Sequence, residues 1–337
     1  MVNTSPKLSI CIPTFDRLHC LSSCLESIYN SKQNSNIDFE VCISDNNPSG
    51  NAQKIVQKYK KKITINYKKN LSNLGIGRNI VESVSMAKGE FVWILGNDDM
   101  LLPYTFNKLE SLLDNNVIDY YYINSINLKS SSVNLFDRPV DTNNLPNNLE
   151  NFSKFKNNFE GNFFDLINPN ISFDFMLGIF LSIFRRRKWE DSKHVLDLNK
   201  LNDKNQYSFL DNTCPHVMVF AKAFHNSKVW FQAEPLSINM IGEREWGNLY
   251  PLVDSIRIPE VIDEYHKYGL PLLQYLKNKN FALKRFIPNL LLMIFTKKYI
   301  GLKYLSFSKN ILSNILFPNV YIFPFYYLLK KIKSRFM

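Results

Sequence analysis

Apolar residues along the first 125 positions follow two alternating spacings. Leu8-Ser9-Ile10-Cys11-Ile12 is a short apolar run ended by Pro13, the pattern of a buried strand. Leu18, Leu21, Leu25 and Ile28 then recur at the spacing of one helix face. The alternation repeats with a strand at 39–43 closed by the turn-rich run DNNPSGN, a Lys/Gln-rich helix, a strand at 63–67, and a helix marked by Ile76, Ile80 and Val84. A fourth strand at 91–95 precedes GNDD. Pro103 can open the next helix, with Phe106, Leu109 and Leu113 on one face, and a fifth strand covers 117–126. This rhythm predicts an α/β fold, a mainly parallel sheet flanked by helices.

Beyond it, 129–160 is rich in Asn, Ser, Asp and Pro and reads as an irregular crossing segment. Residues 161–250 are mixed: strand-like at 178–184, helical at 214–225, extended at 229–239. The last stretch is apolar, aromatic and basic. Three regions follow: 1–128, 129–250 and a helical 251–337.

Charge sharpens that division. The chain of 337 residues carries +11, yet no acid occurs after Glu264, where 13 Lys/Arg lie. The first 264 residues therefore sum to −2. An apolar fraction of 45% excludes a mainly disordered chain. Five cysteines, an odd number with no CxxC, point to free thiols in a reducing compartment. No long apolar segment precedes the first strand, so no signal peptide is expected.

In open α/β sheets, ligands bind beyond the carboxyl ends of the strands. Polar turns stand at all four such places: Thr14-Phe15-Asp16-Arg17, Asp45-Asn46-Asn47, the run 73–79, and Gly96-Asn97-Asp98-Asp99. Each alone also suits an ordinary turn or helix cap; Asp45 fits an Asx turn before Pro48 and Gly50. There is no GxxxxGK[ST] loop and no His/Cys cluster at zinc spacing.

PTFDR at 13–17, SDN at 44–46, NLGIGRN at 73–79 and GEFVWILGNDDMLLP at 89–103 stand in the order and spacing of family 2 glycosyltransferases, which this chain resembles over about residues 7–125 and more loosely to about 250. Within the family it looks most like bacterial enzymes that add sugars to O-antigen and related glycans, the abequosyltransferase-like group included. The resemblance implies the GT-A fold and single-sugar transfer from a nucleotide-diphosphate sugar, with inversion. It implies a donor site at Pro13, Thr14, Phe15, Asp16, Arg17, Asp45, Asn73, Gly75, Arg78, Asn79 and Asn97. Asp98 and Asp99 match the end of the DxD metal motif, implying Mg²⁺ or Mn²⁺; its first acid is replaced by Gly96. A carboxylate entering the second half is the expected general base, and Asp211 occupies that place, with His216 as the alternative. FLSIFRRRKWE resembles the acceptor-side strand, so Arg185 and Arg186 are candidates for an acceptor phosphate, against a plain solvated basic turn. GEREWGN at 242–248 does not match the QxxRW signature of processive synthases. The rival classes are a non-catalytic scaffold, suggested by the missing acid, and a nucleotidyltransferase.

The segment 311–329 has 19 residues without a charge, interrupted by Pro318 and Pro324. Lys and Arg on both sides oppose a single span, so interfacial or re-entrant helices on the cytoplasmic face of an anionic membrane are expected, separable from the donor half, against a buried C-terminal helical subdomain with a basic outer face. That location suits a glycan acceptor linked to a polyprenyl diphosphate. Nucleic acid is not an expected partner, because the bases are interleaved with aliphatic residues.

Overall fold

The computed structural model describes residues 5–33, 35–134, 138–242 and 247–333, with side chains as far as 326. Glu243 to Trp246, the heart of GEREWGN, lie outside the described residues, as do the four at the basic end of the chain.

The first half runs β1 (Leu8–Thr14), α1 (Leu18–Lys32), β2 (Phe39–Asp45), α2 (Gln53–Lys60), β3 (Ile65–Lys69), α3 (Ile76–Ser85), β4 (Phe91–Ile94), β5 (Met100–Leu101), α4 (Thr105–Leu113) and β6 (Tyr120–Lys129). The apolar periodicity explains these elements, since α1 buries Leu21, Cys24, Leu25 and Ile28, and α3 buries Ile80 and Val84. β6 starts later than its apolar run because Asn115 turns the chain, its side-chain oxygen accepting the Val117 amide at 2.9 Å.

Then come β7 (Glu150–Asn151), β8 (Phe159–Asn162), β9 (Ser182–Arg185), α5 (Arg186–Ser192), α6 (Leu198–Leu201), α7 (Leu210–Thr213), α8 (Pro215–Phe224) and β10 (Lys228–Ile241). The strands form one sheet in the order β3-β2-β1-β4-β9-β6-β10-β5, with β7 beside β6 and β8 beside β10. β3, β2, β1 and β4 are parallel, as are β6 and β10. β9 lies between β4 and β6 and is antiparallel to both. The parallel block puts the ends of β1, β2, β3 and β4 on one edge, and the reversal of β9 puts Arg185 on the other. One apolar core extends from Leu8 to Ala282. The five cysteines are free and buried; Cys11 and Cys42 face each other across β1 and β2.

The tail continues through α9 (Tyr250–Leu252), α10 (Ile258–Lys267), α11 (Leu272–Ala282), α12 (Phe286–Phe295) and α13 (Asn319–Lys333). It is not separable from the body. Leu283, Phe286, Met293 and Val320 form a second core with Tyr207 and Leu249 of the body, and Val261, Tyr265 and Ala282 join the first core. Its charges are also partly used: Lys309 pairs with Glu260 at 3.1 Å, Lys267 with Glu264 at 2.9 Å, and Lys279 with Asp263. Segregated basicity is thus in part an ion-pairing device against the acids of 254–264. No helix among the described residues is long and apolar enough to cross a membrane.

Candidate active site

The β1–α1 loop is held in an uncommon conformation. Asp16 and Arg17, neither of them glycine, adopt left-handed backbone angles, with φ of 50° and 47°. Each such residue costs about 1–2 kcal/mol and persists only where its surroundings over-determine it. The surroundings do so here. Asn47 donates to the Asp16 carboxylate at 2.5 Å. The Asn97 amide donates to the Asp16 carbonyl at 3.3 Å and to the Thr14 hydroxyl at 2.9 Å. The Arg17 guanidinium donates to Asp98 Oδ2 at 2.8 Å and to Asn97 Oδ1 at 2.7 Å. The ends of β1, β2 and β4 are therefore bound into one polar cluster.

The loop after β3 joins it through buried amides. Asn46 donates to Asn73 Oδ1 at 2.9 Å and accepts from the Leu74 amide at 3.0 Å. Asn79 accepts from Ser44 at 2.7 Å and donates to the Thr14 carbonyl at 3.2 Å. Gly75 enters α3 with φ of 80°, which glycine adopts without strain. The N-terminus of α3 thus opens onto the cluster, a setting that favours anions.

These contacts sort the expected donor residues. Phe15 and Asn73 are exposed, and Pro13, Asp16, Arg17, Gly75 and Arg78 half-buried, as a binding surface requires. Arg78 is 3.8 Å from Glu82 on its own helix. Asn79, Asn97 and Thr14 are buried, and their side chains are engaged in the hydrogen bonds that join the loops. Asp45 is buried too: Oδ1 accepts the Asn47 amide at 3.0 Å in an Asx turn, and Oδ2 accepts the Tyr67 hydroxyl at 2.8 Å. Burial and this carboxylate push the Tyr67 phenol well above its usual range. Asn70 and Tyr67 were missed; Asn70, one residue past β3, obeys the strand-end rule that would have found it.

Gly96 has a steric reason. A Cβ there would lie 2.7 Å from Asp98 Oδ1 and 2.8 Å from Asp99 Oδ2, so a side chain at 96 would require both carboxylates to turn aside. The Gly96 amide donates to Asp99 at 2.8 Å. Among the described residues no three His, Cys, Asp or Glu gather as a metal cage. Two carboxylates nevertheless suit Mg²⁺ or Mn²⁺, which take one or two from protein and complete their shells with phosphate oxygens and water.

The helix that carries Asp211, α7, packs against α3. A Cβ on Gly77 of α3 would lie 2.7 Å from the backbone of Asn212, so α3 and α7 are in contact. The buried Asp211 carboxylate accepts the Asp197 amide at 2.9 Å. The segment before it is clamped by buried Arg257, which donates to the carbonyls of Tyr207 and Ser208 at 2.9 and 2.7 Å and pairs with Glu260 at 2.5 Å. His216 does not fit the alternative role. It is a core residue of α8 whose Nε2 lies 3.1 Å from the Leu177 carbonyl, and burial pushes its pKa down to about 4. Arg185 and Arg186 do not fit theirs. Arg185 binds Glu90 at 2.6 Å and Asp119 at 3.0 Å, and Arg186 binds the Gly89 carbonyl at 2.7 Å, all at the sheet edge opposite the cluster.

A scan of protein families matches residues 9–187 to "Glycosyl transferase family 2", more than half of the chain. The chain belongs to family 2 of the glycosyltransferases. Its matched region takes in every strand end of the cluster and stops before Asp211. Abequosyltransferase RfbV of Salmonella typhimurium is 38% identical over 109 residues, 32% of each chain. The GalNAc(5)-diNAcBac-PP-undecaprenol beta-1,3-glucosyltransferase of Campylobacter jejuni is 35% identical over 111 residues, 31% of this chain and 33% of that one. The matches thus span about a third of these relatives' length. Among solved structures, S. aureus TarS 1-349 in complex with UDP superposes with a TM-score of 0.56 at 16% identity, over 86% of this chain and 73% of that one, which shows the shared GT-A fold.

Proposed function

We propose that this protein is a metal-dependent, inverting glycosyltransferase that moves one sugar from a nucleoside-diphosphate donor to a lipid-linked glycan acceptor. The observation that carries the reading is the single polar cluster at the carboxyl ends of the parallel strands, held by two left-handed non-glycine residues. Residues 1–128 form the donor half, 129–250 the acceptor half, and 251–337 a membrane-facing helical region.

Phe15, Asp16 and Asn73 border the base and ribose, over a floor set by Asp45 and Asn46. The diphosphate lies against the N-terminus of α3 and Arg78. Asp98 and Asp99 hold the Mg²⁺ or Mn²⁺, which would supply positive charge to the departing diphosphate. The bond from the anomeric carbon to the β-phosphate oxygen breaks, and its electron pair stays on that oxygen. The acceptor hydroxyl oxygen bonds to the opposite face of that carbon and gives its proton to the Asp211 carboxylate.

Names of relatives support the acceptor class: one is a transferase acting on an undecaprenyl-diphosphate glycan, another an abequosyltransferase. For the membrane, the outer side of the tail supports the cytoplasmic-face reading. Leu273, Phe295 and Leu316 are 82%, 79% and 85% exposed, in a region rich in Lys.

The test is a thermal-shift panel of UDP, GDP, CDP and dTDP with and without Mn²⁺, followed by donor hydrolysis. Binding at a hundredfold excess over Kd stabilises by about 2.7 kcal/mol. One nucleotide should shift the wild type only with Mn²⁺ and should not shift Asp98→Ala or Asp99→Ala. No metal-dependent shift with any nucleotide refutes the reading.

A further inference from the structure

Arg17 and a metal ion would claim the same atom. The Arg17 guanidinium is 2.8 Å from Asp98 Oδ2, the oxygen of that carboxylate it occupies, and its other arm is on Asn97 at 2.7 Å. Arginine stays charged at any working pH, so this cation cannot leave by losing its proton. The loop that delivers it is built for the purpose. Asp16 and Arg17 are both left-handed, and Asn47 and Asn97 pin Asp16 from two other strand ends. A surface arginine seeking any partner does not need two strained residues behind it. The ion pair is also well sheltered, with the Arg17 and Asp98 side chains 24% and 18% exposed.

We propose that Arg17 is the resident counter-ion of Asp98 in the donor-free protein, and that metal and diphosphate displace it together. Metal alone must break the Arg17–Asp98 ion pair and offers the guanidinium no anion in exchange. Metal arriving with a diphosphate offers that guanidinium a new anion. Its planar fork suits phosphate oxygens as well as it suits carboxylate. Arg17 then faces the β-phosphate oxygen on which charge develops, which makes it a further catalytic residue and makes binding of metal and nucleotide mutually dependent. By linkage, each tightens the other by the same factor.

This rests on the reading that Asp98 holds the metal, and the experiment separates the two. Mn²⁺ affinity is measured by electron paramagnetic resonance on the full chain, with and without the nucleoside diphosphate that gives the thermal shift. The proteins are wild type, Arg17→Met, Arg17→Lys and Asp98→Asn. In the wild type, the nucleotide should tighten Mn²⁺ at least ~10-fold, the scale of one charge-assisted hydrogen bond. Arg17→Met should bind Mn²⁺ alone ~10-fold more tightly than wild type, yet bind the nucleotide with Mn²⁺ ~10-fold more weakly. Arg17→Lys should keep the wild-type order. Opposite signs in one variant are the signature, because a loop that merely collapsed would weaken both. If Mn²⁺ binds, Asp98→Asn abolishes it, and Arg17→Met fails to tighten metal alone, the counter-ion role is wrong while the metal site stands. If no protein binds Mn²⁺ in either condition, the metal reading of Asp98 falls and this inference with it. The wild-type coupling needs no variant to fold, and its absence by itself overturns the proposal.

Discussion

Alanine at position 77 should pull the donor and acceptor parts of the site apart. Gly77 lies in the first turn of α3, and a Cβ built there falls 2.7 Å from the Cα and carbonyl oxygen of Asn212 and 2.8 Å from its carbonyl carbon. All three atoms are backbone, so no side chain can swing aside. To reach about 3.5 Å, the near edge of favourable van der Waals contact, α3 and α7 must separate by about 0.8 Å. Overpacking of this kind costs about 1–3 kcal/mol. Helix propensity works the other way, since alanine is favoured over glycine by up to about 1 kcal/mol. The variant should thus lose up to about 2 kcal/mol in urea unfolding. The larger effect belongs in the rate. Asn212 adjoins Asp211, and a misplacement near 1 Å can cost about 10²-fold. Turnover should fall 10- to 100-fold, while the nucleotide thermal shift falls less, because Asp98 and Asp99 after β4 are untouched even though the start of α3 moves. Refutation is simple: Gly77→Ala that is more stable than wild type by about 1 kcal/mol and turns over normally would mean that α3 and α7 do not meet at this point.

Three further outcomes follow from the same geometry. Restoring the first acid by Gly96→Asp should weaken Mn²⁺-dependent nucleotide binding by ~10-fold or more, since its Cβ would displace both carboxylates, each tied by about one charge-assisted hydrogen bond; tighter binding would show that the loop readily opens. His216 has a folded pKa of about 4 against 6.5 unfolded, so its contribution is intact above pH 6.5 and is lost as pH falls toward 4, by about 3 kcal/mol in all; His216→Gln should be less acid-sensitive than wild type in that window by urea unfolding, and identical pH profiles would refute the burial argument. Combined Leu273→Glu, Phe295→Glu and Leu316→Glu should release the protein from anionic vesicles without lowering the melting temperature, whereas truncation at Phe281 should unfold it; unchanged sedimentation of the triple variant would place the membrane contact elsewhere.

Much of the donor half was legible because its signals are local. An apolar run ended by a turn reports a buried strand wherever that strand pairs, and the rule that parallel strands share a ligand-binding edge collected Thr14 to Arg17, Asp45, 73–79 and 96–99 before any contact was known. What failed depended on partners far along the chain. The run at 178–184 announced a strand but not its direction; insertion between β4 and β6 reversed β9 and took Arg185 and Arg186 to the wrong edge for phosphate. Asn79 stands beside Arg78 in the sequence, and only the fold shows that Ser44 and Asn70 both bond its side-chain oxygen. Gly96 read as a lost acid, and the fold adds that the Asp98 and Asp99 carboxylates lie against the place its side chain would take. In the tail, composition announced basic and aromatic helices, while their inner face was decided by packing on Tyr207 and Leu249 from outside it. Spacing along a chain records how often a residue is buried, and that is a property of its own backbone geometry. Strand direction, shared atoms and excluded volume are properties of pairs, and they exist only once the chain has brought the pairs together.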